Sequence, residues 1–295
     1  VFRERGRMRL GVLLTVVGVC YGSVTECGPM RTILLTGATD GIGLETAKLL
    51  AAGGHRLVIH GRNPQKVQAV TQALGGEVES VVCDLSKAAD VAKMADDLKK
   101  KHTTLDVLVN NAGILNAPQP MTADGLDVRF AVNTIAPYIL TKKLWSLFTP
   151  SSRVVNLSSA AQSPVDLDAL AGKVPLDAHH AYAQSKLAIT MWSKHLAAVP
   201  DGPLIVAVNP GSLLATNMVR EGYGIAGKDV SQGANILVDA AVGDDFGRPE
   251  VSGAYFDNDR GNFGPPHRDA TNPAKVRDVV AAMDAIVAGL GIDLD

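Results

Sequence analysis

The sequence predicts an α/β fold, one domain in which a doubly wound parallel sheet of about seven strands carries helices on both faces. Three observations carry that prediction. From Arg31 onward, short apolar runs alternate with longer segments of helix-forming composition, the rhythm of strand, crossover helix and next parallel strand. The chain is 46% hydrophobic with few aromatics and many Gly and Ala residues, which suits buried strands and tightly packed helices. Nothing resembling an internal repeat or a low-complexity linker divides it.

The predicted strands are Thr32–Leu35, Arg56–His60, Val78–Cys83, Val107–Val109, Val154–Leu157, Leu204–Val208 and Gly253–Phe256. Between them, Gly43–Ala52, Pro64–Leu74, Ala88–Lys101, Leu126–Phe148 and Tyr182–Ala198 have helical composition. Asn63 followed by Pro64 supplies an N-cap and a proline at the first helical position. Right-handed crossovers put the carboxyl ends of all these strands on one edge, where open α/β sheets bind ligands.

Residues 1–29 stand apart from the domain, which is expected over residues 30–295. Arg3, Arg5, Arg7 and Arg9 precede the apolar stretch Leu10 to Tyr21, the layout of a secretory signal. That stretch is too short to span a membrane, and Gly11 and Gly18 weaken it. Val1 suggests an alternative start codon, and Met30 stands directly before the first strand. The segment is therefore expected to be a disordered or misassigned extension, with a signal or anchor as the alternative.

Charge narrows the partners. The formal net charge is −2, and no basic run is interleaved with aromatics, so nucleic acid is not an expected partner. Cys20, Cys27 and Cys83 make neither a metal pattern nor an even disulfide framework, which fits a reducing, cytoplasmic compartment. No metal and no membrane partner is expected, and a homo-oligomer is compatible with the sequence.

The first predicted strand runs into Gly37-Ala38-Thr39-Asp40-Gly41-Ile42-Gly43. Such a turn lets a pyrophosphate approach backbone N–H groups at the positive end of the next helix, the Rossmann-type arrangement. The second strand ends at Gly61-Arg62, leaving room and a positive charge for the 2′-phosphate of NADP(H), where a carboxylate would grip the free hydroxyl of NAD. Asp84 after the third strand and Asn110-Asn111-Ala112-Gly113 after the fourth extend the same edge toward adenine and ribose. Each alone reads equally well as turn chemistry.

Tyr182 and Lys186 are four residues apart and share a helix face. An ammonium beside a phenol favours the phenolate, making the tyrosine a usable acid or base for a carbonyl oxygen. The fifth strand delivers Ser158 and Ser159, whose hydroxyls are suited to bonding the reacting oxygen. Pro137, four residues after Asn133, should leave the Asn133 carbonyl without its helical partner, or merely bend the helix.

Taken together, these motifs from Thr36 to Pro210-Gly211 closely resemble the short-chain dehydrogenase/reductase family, from Met30 to about the C-terminus. The resemblance implies hydride transfer between NADP(H) and a carbonyl or secondary alcohol. It implies that Ser159 orients substrate, Tyr182 transfers the proton, Lys186 binds nicotinamide ribose and lowers the tyrosine pKa, and Asn133 holds a relay water. The implied cofactor site comprises Gly37, Thr39, Asp40, Gly41, Ile42, Gly43, Arg62, Asp84, Leu85, Asn110, Ala112, Gly113, Tyr182, Lys186, Pro210 and Gly211. The interval of 23 residues from Ser159 to Tyr182 looks like the branch of retinol dehydrogenases and related reductases of lipophilic carbonyls. Its inserted part, Gln162 to His180, should shape the substrate mouth. The Pro210-to-Thr216 segment carries one residue more before its threonine than the common pattern, which leaves Thr216 as a nicotinamide contact in doubt. His179 and His180 read better as polar residues of a helix start than as a proton path. Leu213, Leu214, Met218, Val219, Tyr223 and Ile225, among Gly222, Gly224 and Gly227, form a candidate apolar lid. The rival readings are a cofactor-binding sensor or scaffold and a membrane-anchored lipid or retinol-type reductase.

Overall fold

The computed structural model describes residues 29–294, so the expectations for the chain before Pro29 lie outside the described residues. Its strands are β1 Thr32–Leu35, β2 Arg56–Gly61, β3 Val78–Val82, β4 Val107–Asn110, β5 Arg153–Leu157, β6 Leu204–Asn209, β7 Tyr255–Asp257 and β8 Asn262–Gly264. The helices are α1 Gly41–Ala52, α2 Pro64–Leu74, α3 Ala88–Lys101, α4 Val128–Phe130, α5 Ala136–Lys143, α6 Leu167–Leu170, α7 Ala178–Leu196, α8 Asn217–Tyr223, α9 Ser231–Val242 and α10 Pro273–Gly289.

All strands join one sheet in the order β3-β2-β1-β4-β5-β6-β7-β8. Seven are parallel; β8 returns antiparallel on β7, pairing Phe263 with Phe256. The predicted sheet therefore gains an eighth strand. Its three residues follow Gly261, end at Gly264 and show no period of their own, and the tertiary contact of Phe246, Phe256 and Phe263, with ring centroids 5.0 Å apart, holds them there.

Both faces of the central strands are buried, which is why those strands read as apolar runs, while the edge strands β3 and β8 are partly exposed. On one face Ile33, Leu35, Val107, Val109 and Val206 pack with Leu50, Leu237 and Ala240 of α1 and α9. On the other, Leu34, Leu108, Val154 and Ile205 pack with Leu98, Ile139, Leu187, Trp192 and Met283 of α3, α5, α7 and α10. The chain order reverses between β1 and β4, opening a crevice at the carboxyl edge.

The predicted helix Leu126–Phe148 is interrupted. Between α4 and α5, Ala131–Ile135 form a π-helical turn, with the Ala136 N–H bonding the Ala131 carbonyl. Pro137 follows in the first turn of α5, where its missing N–H is tolerated. The wider turn, not an ordinary helix with one missing bond, carries Asn133; such bulges recur at functional sites. α7 begins at Ala178, earlier than predicted, because Asp177 caps it through the N–H groups of His179 and His180. That places both histidines at the helix start. Among the described residues no helix is long and apolar enough to cross a membrane.

Candidate active site

The glycine turn closes on itself by contact rather than by composition alone. A Cβ on Gly43 would stand 2.1 Å from the Gly37 carbonyl, and one on Gly37, whose φ is +67°, 2.8 Å from the Ala112 Cα. α1 thus presses on its own entry loop, and the β4 loop presses on Gly37. Asp40 caps α1, its Oδ1 accepting the Gly41 N–H at 2.8 Å, while Oδ2 accepts from Asn217 at 2.7 Å. A 3.4 Å ion pair with Lys66 balances its charge. The first backbone N–H groups of an α-helix have no partner within the helix and stand at its positive end, which is the chemistry a pyrophosphate needs, and the glycines of this turn keep Cβ atoms out of the loop that leads to it.

Three side chains fix the cradle. Thr36 Oγ1 accepts from the N–H groups of Asn111 at 3.0 Å and Ala112 at 3.1 Å. Asn111 Nδ2 donates to the carbonyls of Thr36 at 2.8 Å and Gly37 at 3.1 Å. His60, buried at the end of β2, accepts the Gly37 N–H on Nδ1 at 3.2 Å, and its Nε2 lies 3.0 Å from the Cys83 carbonyl. A backbone N–H only donates and a carbonyl only accepts, so the ring is neutral with its proton on Nε2. Burial pulls its pKa below the usual imidazole value, which supports that state. Sequence reasoning passes over His60, since a histidine in an apolar strand carries no signal of a partner 23 residues away.

Gly61 has a different reason from the one its sequence suggests. It is buried, and a Cβ there would lie 2.6 Å from Thr39 Cγ2 and 2.7 Å from Val67 Cγ2. Packing demands the glycine, so a carboxylate at this position would displace Thr39 or Val67. Arg62 is exposed and makes no hydrogen bond or ion pair among the described residues, leaving its guanidinium unspent. Asp84 Oδ1 accepts from the Ser86 N–H and hydroxyl, at 3.1 and 2.8 Å. Leu85 is buried beside it. The Asn110 side chain turns inward, its Nδ2 donating to Asn156 Oδ1 at 2.8 Å and Thr141 Oγ1 at 3.3 Å, while its Oδ1 is buried without a hydrogen-bond partner.

The catalytic candidates converge at the ends of β5 and α7. Lys186 is 4% exposed; its Nζ donates to the Leu157 carbonyl at 2.7 Å and lies 5.6 Å from the Tyr182 ring centre. Burial brings its ammonium down from 10.5 to about 8. Ser158 is buried and structural, its hydroxyl 3.0 Å from the Lys186 carbonyl and 2.7 Å from Thr190 Oγ1. Ser159 stands at the partly open surface, and its Oγ accepts the Ala161 N–H at 3.1 Å. That bond leaves the Ser159 hydroxyl hydrogen to donate elsewhere. Asn133 Oδ1 accepts the Ile114 N–H at 2.8 Å, and Nδ2 donates to Ser185 Oγ at 3.0 Å, so it joins the β4 loop to α7. Ser185 Oγ in turn donates to the Tyr182 carbonyl at 2.7 Å.

Beyond β6, Pro210 is buried and Gly211 adopts φ +121°. Asn209 donates to Asp257 at 2.8 Å and Asp259 at 2.9 Å, and Asp259 accepts the Ser212 N–H at 2.9 Å. Thr216 caps α8 through the Val219 N–H at 3.3 Å, with its methyl 3.3 Å from where a Gly41 Cβ would sit. The threonine thus lies on the glycine turn. The insertion forms α6, with Leu170 buried and Leu167 and Val174 exposed, and Gly172 packs on the Gly125 carbonyl.

Several known proteins are similar to this chain. A family model described as short chain dehydrogenase matches residues 31–223. Human polyprenol dehydrogenase is 35% identical over 200 residues, 62% of this chain and 61% of that protein. Human retinol dehydrogenase 13 is 32% identical over 206 residues, 66% of this chain and 62% of that protein. The chain therefore spans less than two thirds of the length of these two relatives. Among solved structures, an uncharacterized protein from Mycobacterium Paratuberculosis superposes with TM-score 0.72 at 28% identity, covering 88% of this chain and 93% of that one. A Burkholderia cenocepacia short chain dehydrogenase in complex with NADP gives 0.61 at 27% identity over 77% of this chain and 95% of that one. A Brucella melitensis 3-ketoacyl-(acyl-carrier-protein) reductase complexed with NADH gives 0.61 at 25% identity over 77% and 96%.

Proposed function

The chain belongs to the short-chain dehydrogenase family, and from that premise we propose that it is an NADP(H)-dependent oxidoreductase of a lipophilic carbonyl or secondary alcohol in the cytoplasm. The observation that carries this reading is buried Lys186, its Nζ 5.6 Å from the Tyr182 ring centre and bonded to the Leu157 carbonyl at the end of β5, the strand that leads into Ser159.

The nicotinamide supplies or accepts hydride when bound. The protein's own groups do the rest. Ser159 donates its hydroxyl hydrogen to the reacting oxygen and sets its position, because its acceptor side is already used by Ala161. Tyr182 gives that oxygen its proton in reduction and takes it back in oxidation. Lys186, close beneath the ring in a dry setting, favours the phenolate when charged. Asn133, Ser185 and the Tyr182 carbonyl brace the helix that presents the pair. Arg62 offers its guanidinium to the 2′-phosphate. Exposed Leu167 and Val174 in the insertion, and exposed Leu213 and Ile225 in the segment after β6, support a lipophilic substrate.

NADPH oxidation measured against ketones, aldehydes and quinones tests the reading. Tyr182→Phe should lower turnover on the best of these by about 10²- to 10⁴-fold while NADPH affinity stays within twofold. Near-normal turnover in that variant would remove Tyr182 from the acid/base role.

A further inference from the structure

The role of Ser159 requires its hydroxyl to point at one place, yet the residue lies at a strand end on a partly open surface. Its backbone carbonyl is held from two sides. Tyr255 of β7 donates its hydroxyl to that carbonyl at 3.1 Å, and Gln162 Nε2 donates to the same oxygen at 3.0 Å. Both lone pairs are thereby used. The Gln162 amide is itself oriented: its Oε1 accepts the His267 N–H at 3.1 Å, so the other end must be the donor. The same Nε2 lies 3.3 Å from Ser158 Oγ. Gln162 thus ties the two serines to the segment before α10.

Tyr255 is 5% exposed, and its surroundings keep it a proton donor. Burial, with Asp257 and Asp259 nearby, pushes its phenol above the ordinary value, so it stays protonated at working pH. Tyr255 and His267 both lie beyond the residues 31–223 that match the family model, so this bracing comes from the chain's own C-terminal part.

Resting on the proposed role of Ser159, we infer that Gln162 and Tyr255 are positioning residues that together aim the Ser159 hydroxyl at the reacting oxygen. Neither touches substrate; each acts by fixing the Ser159 peptide, and a displacement of that peptide swings the hydroxyl away. Misplacement on that scale lowers turnover more than cofactor binding.

The test is a set of mutant cycles on the full chain, read as kcat with the best carbonyl substrate and as NADPH Kd by titration. Tyr255→Phe keeps the buried ring and loses only the donor; Gln162→Glu keeps an acceptor for the His267 N–H and removes the donor to Ser159. Each should lower kcat about tenfold and leave NADPH Kd within twofold. In a Ser159→Ala background neither should lower kcat further by more than twofold, a result that a general loss of fold stability would not give. An impaired Ser159→Ala protein with normal Tyr255→Phe and Gln162→Glu variants overturns the inference and leaves the serine's role standing. Equal losses with and without Ser159 also overturn it. Unchanged turnover in Ser159→Ala alone overturns the serine's role, and the inference with it.

Discussion

Replacing Lys186 with Met should abolish turnover and, at the same time, change how stability depends on pH. The drop from 10.5 to about 8 means the fold disfavours the charged amine by about 3 kcal/mol. The folded pKa lies below the unfolded one, so the native protein sheds its proton first. Stability from this group is therefore fully present above 10.5 and is lost as pH falls through 8. Met carries no such linkage. The stability of the wild type relative to Lys186→Met should rise from pH 7 by about 1 kcal/mol at pH 9 and by about 2 to 3 kcal/mol at pH 10. Losing the Nζ bond leaves the Leu157 carbonyl without that partner, at about 1–3 kcal/mol, but that penalty does not vary with pH and cancels from the slope. Urea unfolding at pH 7, 9 and 10, with both proteins carrying Tyr182→Phe so that the phenol coupled to Lys186 drops out, reads the difference directly. Curves that stay parallel over this range would show that Lys186 is not held in a desolvating site.

Three other substitutions probe separate parts of the structure. Arg62→Ala should weaken NADPH about tenfold and NADH less than twofold by fluorescence titration, since only a 2′-phosphate engages the free guanidinium; equal affinities in the wild type would dismiss the 2′-phosphate role. Gly43→Ala places a methyl 2.1 Å from the Gly37 carbonyl and should reduce NADPH affinity tenfold or more in any protein that folds. Tyr138→Phe removes a 2.6 Å hydrogen bond from α5 to Asp284 of α10, and should cost about 1 kcal/mol of stability with kcat unaltered. An unchanged urea midpoint would show that bond to be idle.

What the sequence reveals of this site depends on distance along the chain. The glycine turn and the Tyr182/Lys186 spacing are short-range patterns in which local geometry and chemistry coincide; α1 opens at the turn, and the Lys186 Nζ lies 5.6 Å from the Tyr182 ring centre. His60 and Asn111 are invisible in that way, because their meaning lies in partners on other strands. Gly61 is legible as a glycine but not as to cause; space for a phosphate and contact with Thr39 leave the same letter. The π turn at Ala131–Ile135 evades a reading based on a period of 3.6, since its extra residue looks like ordinary helix until the hydrogen bonds are assigned. Strand β8 is too short to show any period.

The Asp259 carboxylate accepts from Ser212 at one foot of the 212–228 segment, while Lys228 at the other foot lies 3.8 Å away. The backbone of Lys228 also bonds Leu213 and Ala215, each at 2.7 Å, so the two feet are stapled side by side. A span whose ends meet in this manner is separable from the sheet that bears it. Apart from Thr216 and Asn217, which bind the glycine turn, its residues can be exchanged, lengthened or shortened without altering where it starts or stops, because loop closure is settled at the staple. Grafting the equivalent span from a relative, with Thr216, Asn217, Lys228 and Asp259 retained so that its contacts to the glycine turn survive, becomes a route to altered substrate preference.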